Sequence, residues 1–264
     1  MNTQFNWHGL LKGKLVLQSR PLYMRFFGLG LDQFTRKLSQ VLGRNDVYFV
    51  HVDHYEIVLE IVKCRERPDQ IKNIILNHFG SWYIGDGRQT SIEQIVGNRL
   101  INHHLSITGA ESLTAGMFQA TLGNVPGISA VFPGGFVTYS NHAKHQLLGI
   151  PNDVINEYGV VSEPVAQWMA SQSRKIMNTD VSVSFTGAAG PDPLEGQPGG
   201  TVWIGLSING HKTIAKLYHL QTLYHQLSGF KTAEELKNNS RDAIRLLCVK
   251  TGLKMVNDAL NKLL

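Results

Sequence analysis

The 264-residue chain has little of several things, and each scarcity removes a class of protein. It has two cysteines, Cys64 and Cys248, with no CxxC spacing and each inside an apolar periodic segment. That pattern excludes a disulfide framework or a cysteine metal site and predicts buried free thiols in a reducing compartment. No stretch approaches the roughly 20 consecutive apolar residues of a membrane span, and "MNTQFNWHGLLKGK" lacks the apolar core of a secretory leader. The expectation is a cytoplasmic protein. Charged residues make up only 17% and form no Lys/Arg block, so the net charge of +5 suits a phosphate-bearing small molecule or weak nucleic-acid contact without selecting either. No internal repeat is visible, and a hydrophobic fraction of 42% is enough for a folded core.

What is present reads as two modules. In residues 1–88, "KLVLQSRPLYMRFFGL" is strand-like, and "LDQFTRKLSQVL" spaces Leu31, Phe34, Leu38 and Leu42 helically behind Asp32. "DVYFVHVD" and "YEIVLEIVK" read as paired strands, and "PDQIKNIILNHF" as a helix opened by Pro68. The result is a small β-α-β-β-α module, with "YIGDGRQT" at 83–90 as the expected boundary.

Residues 89–264 alternate helices and strands. A helix in "SIEQIVGNRLINHH" precedes a strand "LSITGAE", a helix from Thr114, a strand "GGFVTYS", a short helix "NHAKHQLLG" and a long one in "SEPVAQWMASQSRKIM". A buried strand "DVSVSFTG" follows, then a hairpin turning at Asn209-Gly210 in type I′ geometry, then a final helix from about Ala233. The fold class expected is α/β: a layered α/β/α domain on a mixed sheet, with the small N-terminal α+β module beside it.

Three loops place small or polar residues just past a strand, the edge where open α/β sheets build their sites. They are "ESLTAG", "TYSNHAK" and "FTGAAGPDPLEGQPGG". On its own stretch Ser112 reads as a helix cap, but Thr114 is the better cap by position, which frees Ser112. As a nucleophile a serine needs a base. No histidine is marked for that role: His103 and His104 end a helix, and His142 and His145 fit an exposed helical face. A lysine stripped of water, such as Lys144, is the other choice, although a lone lysine is ordinarily a solvated surface charge.

The series "AESLTAG", "GGFVTYSNHAKHQLLGIP", "YGVVSEPVAQWMA", "FTGAAGP" and "PGGTVWIGL" closely resembles the C-terminal domain of the CinA family, the nicotinamide-nucleotide amidases. The resemblance implies hydrolysis of the carboxamide of nicotinamide mononucleotide to nicotinate mononucleotide and ammonia, with no metal and no cofactor, in a homodimer. It places the family's serine on Ser112 and its lysine on Lys144, with Tyr139 beside them as a bond to the dyad or the substrate. It also implies substrate contacts at Thr114, Ala115, Gly116, Asn141, Thr186 and Gly187, and a phosphate contact at Arg241 or, one turn on, Arg245. N–H groups around Thr114 to Gly116 would hold the oxyanion. The chain departs from the family at Ala115, where a glycine is usual, at Leu113, where a cysteine is, and in "NSR", ending at Arg241, where the family has "GDR". These departures support the rival expectation of a non-catalytic pyridine-nucleotide-binding or regulatory protein. The N-terminal module resembles the KH-like middle region of full-length CinA proteins. It shows no GxxG loop at a suitable place, so nucleic acid is the weaker partner.

Overall fold

A computed structural model describes residues 4–5, 16–229 and 232–264. The chain forms two compact units: one extends to Ser91 and includes His225–Gly229, and the other takes Ile92–Tyr224 and the C-terminal helix.

The first unit contains β1 (Gln4–Phe5), β2 (Val16–Phe26), α1 (Leu31–Val41), β3 (Val47–Asp53), β4 (Glu56–Cys64), α2 (Pro68–Phe79) and β5 (Tyr83–Asp86). Its antiparallel sheet runs β1-β3-β4-β2-β5. Helical spacing buries Phe34 and Leu38 on α1 and Ile71, Ile75 and Phe79 on α2. Their rings meet Phe26, with Phe26 and Phe34 centroids 5.0 Å apart and Phe34 and Phe79 4.7 Å apart. The β3–β4 hairpin turns at His54-Tyr55, both with positive φ, the two-residue geometry that matches strand twist. Onto the two ends of that turn buried Arg25 of β2 donates, from Nε to Glu56 Oε2 and from Nη2 to Asp53 Oδ2, both at 2.8 Å. The stretch 83–90 begins with a strand, and the first unit runs on to Ser91. Ile84 is buried, and β5 pairs with β2, so tertiary pairing overrides the local glycine signal.

The second unit contains α3 (Ile92–Asn102), β6 (Ile107–Glu111), α4 (Met117–Gly123), β7 (Phe136–Val137), α5 (Asn141–Leu148), α6 (Asn152–Tyr158), α7 (Glu163–Met177), β8 (Val181–Gly187), β9 (Thr201–Ile208) and β10 (Ile214–His219). It closes with α8 (Leu220–Leu227), whose end belongs to the first unit, and α9 (Ala233–Leu263). The sheet order is β10-β9-β8-β6-β7; β7, β6 and β8 are parallel, and β9 and β10 return antiparallel. It is the mixed α/β sheet expected. Helix α7 packs on β6, β8 and β9, while α9 packs on β8 and β9, which makes three layers. Every residue of β8 is buried, as a central strand covered on both faces requires. The hairpin differs in detail from expectation: Gly210 alone has positive φ there, because the connection spans residues 209–213 rather than two.

Close approach of helix to sheet depends on glycine at Gly205. A Cβ there would lie 2.5 Å from the carbonyl oxygen of Ala166 on α7 and 2.4 Å from Ser184 Oγ. Among the described residues no helix is long and apolar enough to cross a membrane. Gly205→Val should push α7 off the sheet and lower stability by about 1–3 kcal/mol, read as a drop in thermal midpoint; an unchanged midpoint would show that the layer spacing is not set there.

Candidate functional site

Strand β6 is the switch point of the second sheet. The chain leaves β6 for β7 on one side, and β8 then returns on the other, so the carboxyl ends of β6, β7 and β8 flank a crevice. Ser112 follows β6 directly and is pinned by its N–H, which donates to Phe185 O on β8 at 2.9 Å. Thr138 follows β7, and its N–H donates to Glu111 O at 2.7 Å. Beyond it Ser140 caps α5, its hydroxyl accepting from Ala143 N at 3.1 Å. That cap sets the first turn of α5, and with it the side chain of Lys144.

Lys144 is 1% exposed. Its Nζ donates to Ser112 Oγ at 3.1 Å and to Thr138 O at 3.0 Å. Burial pushes its pKa down from 10.5 to about 8, because an ammonium loses its hydration there; the carboxylate of Glu195 opposes the shift. Glu195 sits at the tip of a small turn closed by Leu194 and Gln197, and its Oε2 accepts from Val161 N at 3.2 Å.

The turn after Ser112 departs from the helical start expected at Thr114. Helix α4 begins at Met117, and Thr114 does not cap it. Ala115 and Gly116 both adopt left-handed backbone, with φ of 48° and 92°. The cap is the buried carboxylate of Glu111, whose Oε2 accepts from Gly116 N and Phe118 N at 3.0 Å and whose Oε1 accepts from Gln119 N at 3.1 Å. The sequence reading gave Glu111 no role. One signal was available: a glutamate at the end of an otherwise apolar buried strand must find donors. With Ala115 N also donating to Ser112 O at 3.1 Å, two of the expected oxyanion donors are occupied. The N–H groups of Leu113 and Thr114 have no partner among the described residues.

The remaining site candidates fall into two groups. Arg241 donates to Gly190 O at 2.9 Å and to the exposed Tyr139 hydroxyl at 3.1 Å, so Tyr139 is brought to Arg241. Arg245 donates from Nη2 to Thr114 O at 3.0 Å and from Nη1 to Asp242 at 3.1 Å, while its Nε and Thr114 Oγ1 are buried with no protein partner. Asn141 is exposed on the first residue of α5. The Thr186 hydroxyl donates to Val160 O at 2.6 Å, and a Cβ at Gly187 would meet Thr201 O at 2.5 Å.

Fold and site thus define a three-layer α/β protein with a buried lysine against a partly exposed serine at a sheet switch point. Residues 89–228 match the family model described as the CinA C-terminal domain. A protein of Levilactobacillus brevis named competence-damage inducible is 42% identical over 257 residues, covering 93% of this chain and 57% of that protein. A namesake from Lactiplantibacillus plantarum is 39% identical over 248 residues, covering 90% of this chain and 55% of that one. Among solved structures, the competence/damage inducible protein from Agrobacterium tumefaciens has a TM-score of 0.54 at 27% identity, covering 66% of this chain and 99% of that one. The chain belongs to the CinA family. It spans a little more than half the length of the curated relatives it matches.

Two outcomes follow from the geometry. A folded-state pKa below the unfolded value penalises the folded state wherever lysine is charged when unfolded, so the penalty is full below pH 8 and is relieved as pH rises toward 10.5. Wild type should therefore gain about 3 kcal/mol on Lys144→Met between those limits in denaturant melts; a constant difference would mean a normal amine. At Ala115, replacement by glycine removes left-handed strain of about 1–2 kcal/mol against a chain-entropy cost of about 0.5–1 kcal/mol. Ala115→Gly should raise the thermal midpoint, and a lowered midpoint would contradict the strain.

Proposed function

We propose that the second unit is an amidohydrolase that converts nicotinamide mononucleotide to nicotinate mononucleotide and ammonia through Ser112 and Lys144. The observation that carries the reading is the 3.1 Å contact between a serine hydroxyl and a buried amine whose pKa is pushed down to about 8. A neutral amine retains a lone pair, and with one N–H committed to Thr138 O it can accept the proton of Ser112 Oγ across the 3.1 Å contact.

In the proposed reaction Lys144 takes the serine proton as Oγ bonds to the carboxamide carbon, and the carbonyl π pair moves onto oxygen. The Leu113 and Thr114 N–H groups stabilise that oxyanion, in place of the donors spent on Glu111 and on Ser112 O. The ammonium of Lys144 then gives its proton to the leaving nitrogen, the C–N bond breaks, and ammonia departs from an acyl-serine. Water attacks the ester with Lys144 again accepting a proton, and Ser112 leaves as the hydroxyl, giving the carboxylate. Glu195 favours the transient ammonium, because its charge opposes the desolvation of Lys144. Arg241 and Arg245, on one side of α9, offer guanidinium donors for the phosphate.

The rival is a pyridine-nucleotide-binding protein without turnover, favoured by the left-handed Ala115 and by the protein acceptors that already hold both arginines. Ammonia release from the mononucleotide should vanish in Ser112→Ala, and in wild type kcat/KM should rise with pH to a midpoint near 8 as Lys144 loses its proton. Binding by titration without any ammonia release would establish the rival.

A further inference from the structure

We propose that Glu111 is the positioning residue of this site: its carboxylate gathers the first N–H groups of α4 and so fixes the turn that presents Ser112 to Lys144. The inference rests on the Ser112–Lys144 reading above, which assigns Glu111 nothing.

The geometry has two arms. Through its side chain Glu111, fully buried, folds forward onto Gly116, Phe118 and Gln119 with three N–H bonds of 3.0 to 3.1 Å. A buried carboxylate is tolerated only when such donors replace its water, and here they supply its side-chain hydrogen bonds among the described residues. Through its main chain Glu111 O accepts the N–H of Thr138, whose own carbonyl accepts Lys144 Nζ. One residue therefore sets both the turn after Ser112 and the strand end beneath Lys144.

The charge matters as well as the length. A carboxylate accepts at both oxygens, whereas glutamine would turn an NH2 against a backbone N–H and lose at least one bond. With Gly116 N held by Glu111, the chain between Ser112 and Gly116 is forced into consecutive left-handed residues, and Leu113 N and Thr114 N stay unpartnered. Loosening that carboxylate would let the turn relax toward a longer α4, shift Ser112 Oγ and admit water to the amine.

The test compares the 264-residue wild type with Glu111→Gln and with Glu111→Asp, which keeps the charge but shortens the reach. Folding is checked by circular dichroism and cooperative melting. Turnover of nicotinamide mononucleotide is read as kcat and KM separately, and the Lys144 amine is titrated by NMR of its ε-CH2 signals. Glu111→Gln should lower kcat by about a hundredfold with KM within about threefold, the cost of misplacing a reacting group by about 1 Å. Its lysine midpoint should move up from about 8 toward 10.5 as water enters. Glu111→Asp should recover part of both. A folded Glu111→Gln protein with wild-type kcat and wild-type lysine midpoint would reduce Glu111 to a helix cap and overturn the proposal. If Glu111→Gln does not fold, the same two readings on Glu111→Asp decide. Should wild type release no ammonia, the amidase reading fails separately, and an unmoved lysine midpoint in either folded variant still overturns the positioning role.

Discussion

The amine of Lys144 is held in a buried side chain, its hydrogen bonds going to the carbonyl that follows β7 and to the serine it touches. An ammonium in that position is opposed by desolvation, and the amine retains two polar neighbours, Ser112 Oγ and Thr138 O, to compensate for lost hydration. Burial and bonding together give a group that is basic enough to accept a proton and neutral often enough to do so near physiological pH. A lysine on the same helix one position earlier or later would face solvent, where His145 is exposed and Ala143 half-exposed.

Around this contact the second unit divides its labour. Main-chain bonds at the carboxyl ends of β6, β7 and β8 fix the serine and the lysine's acceptor, while side chains deeper in the layers fix the strands. Thr186 and Gly187 belong to the second task. The hydroxyl of one anchors Val160, and the missing side chain of the other lets β9 approach. Family membership agrees with this architecture without assigning the reaction, because relatives and neighbours share the fold and a name rather than a described activity.

Much of the fold was legible because its periodicities are strong. The stripe of α1 behind Asp32, the helix α2 opened by Pro68, the buried run of β8 and the long α9 were all read from local sequence. Helix α6, with a single buried residue, Ile155, and strand β5, whose sequence is rich in turn formers, were missed because packing rather than local preference holds them. The start of α4 was misplaced for a related reason. Thr114 has the composition of a cap, but the donors are taken by a glutamate that reaches forward from the preceding strand, a pattern no short capping signature contains.

Residue order by itself determined most of the elements, the layered α/β class and the presence of polar residues at three strand ends, since propensity and burial periodicity act over a few neighbouring positions. Only the tertiary structure decided which of those residues meet. Thirty-two positions separate Ser112 from Lys144, and the helix α4, strand β7 and the cap of α5 must all be in place before their atoms come within 3.1 Å. The same assembly excludes water from the amine and spends Gly116 N on Glu111, and both consequences depend on packing that no local stretch of sequence encodes.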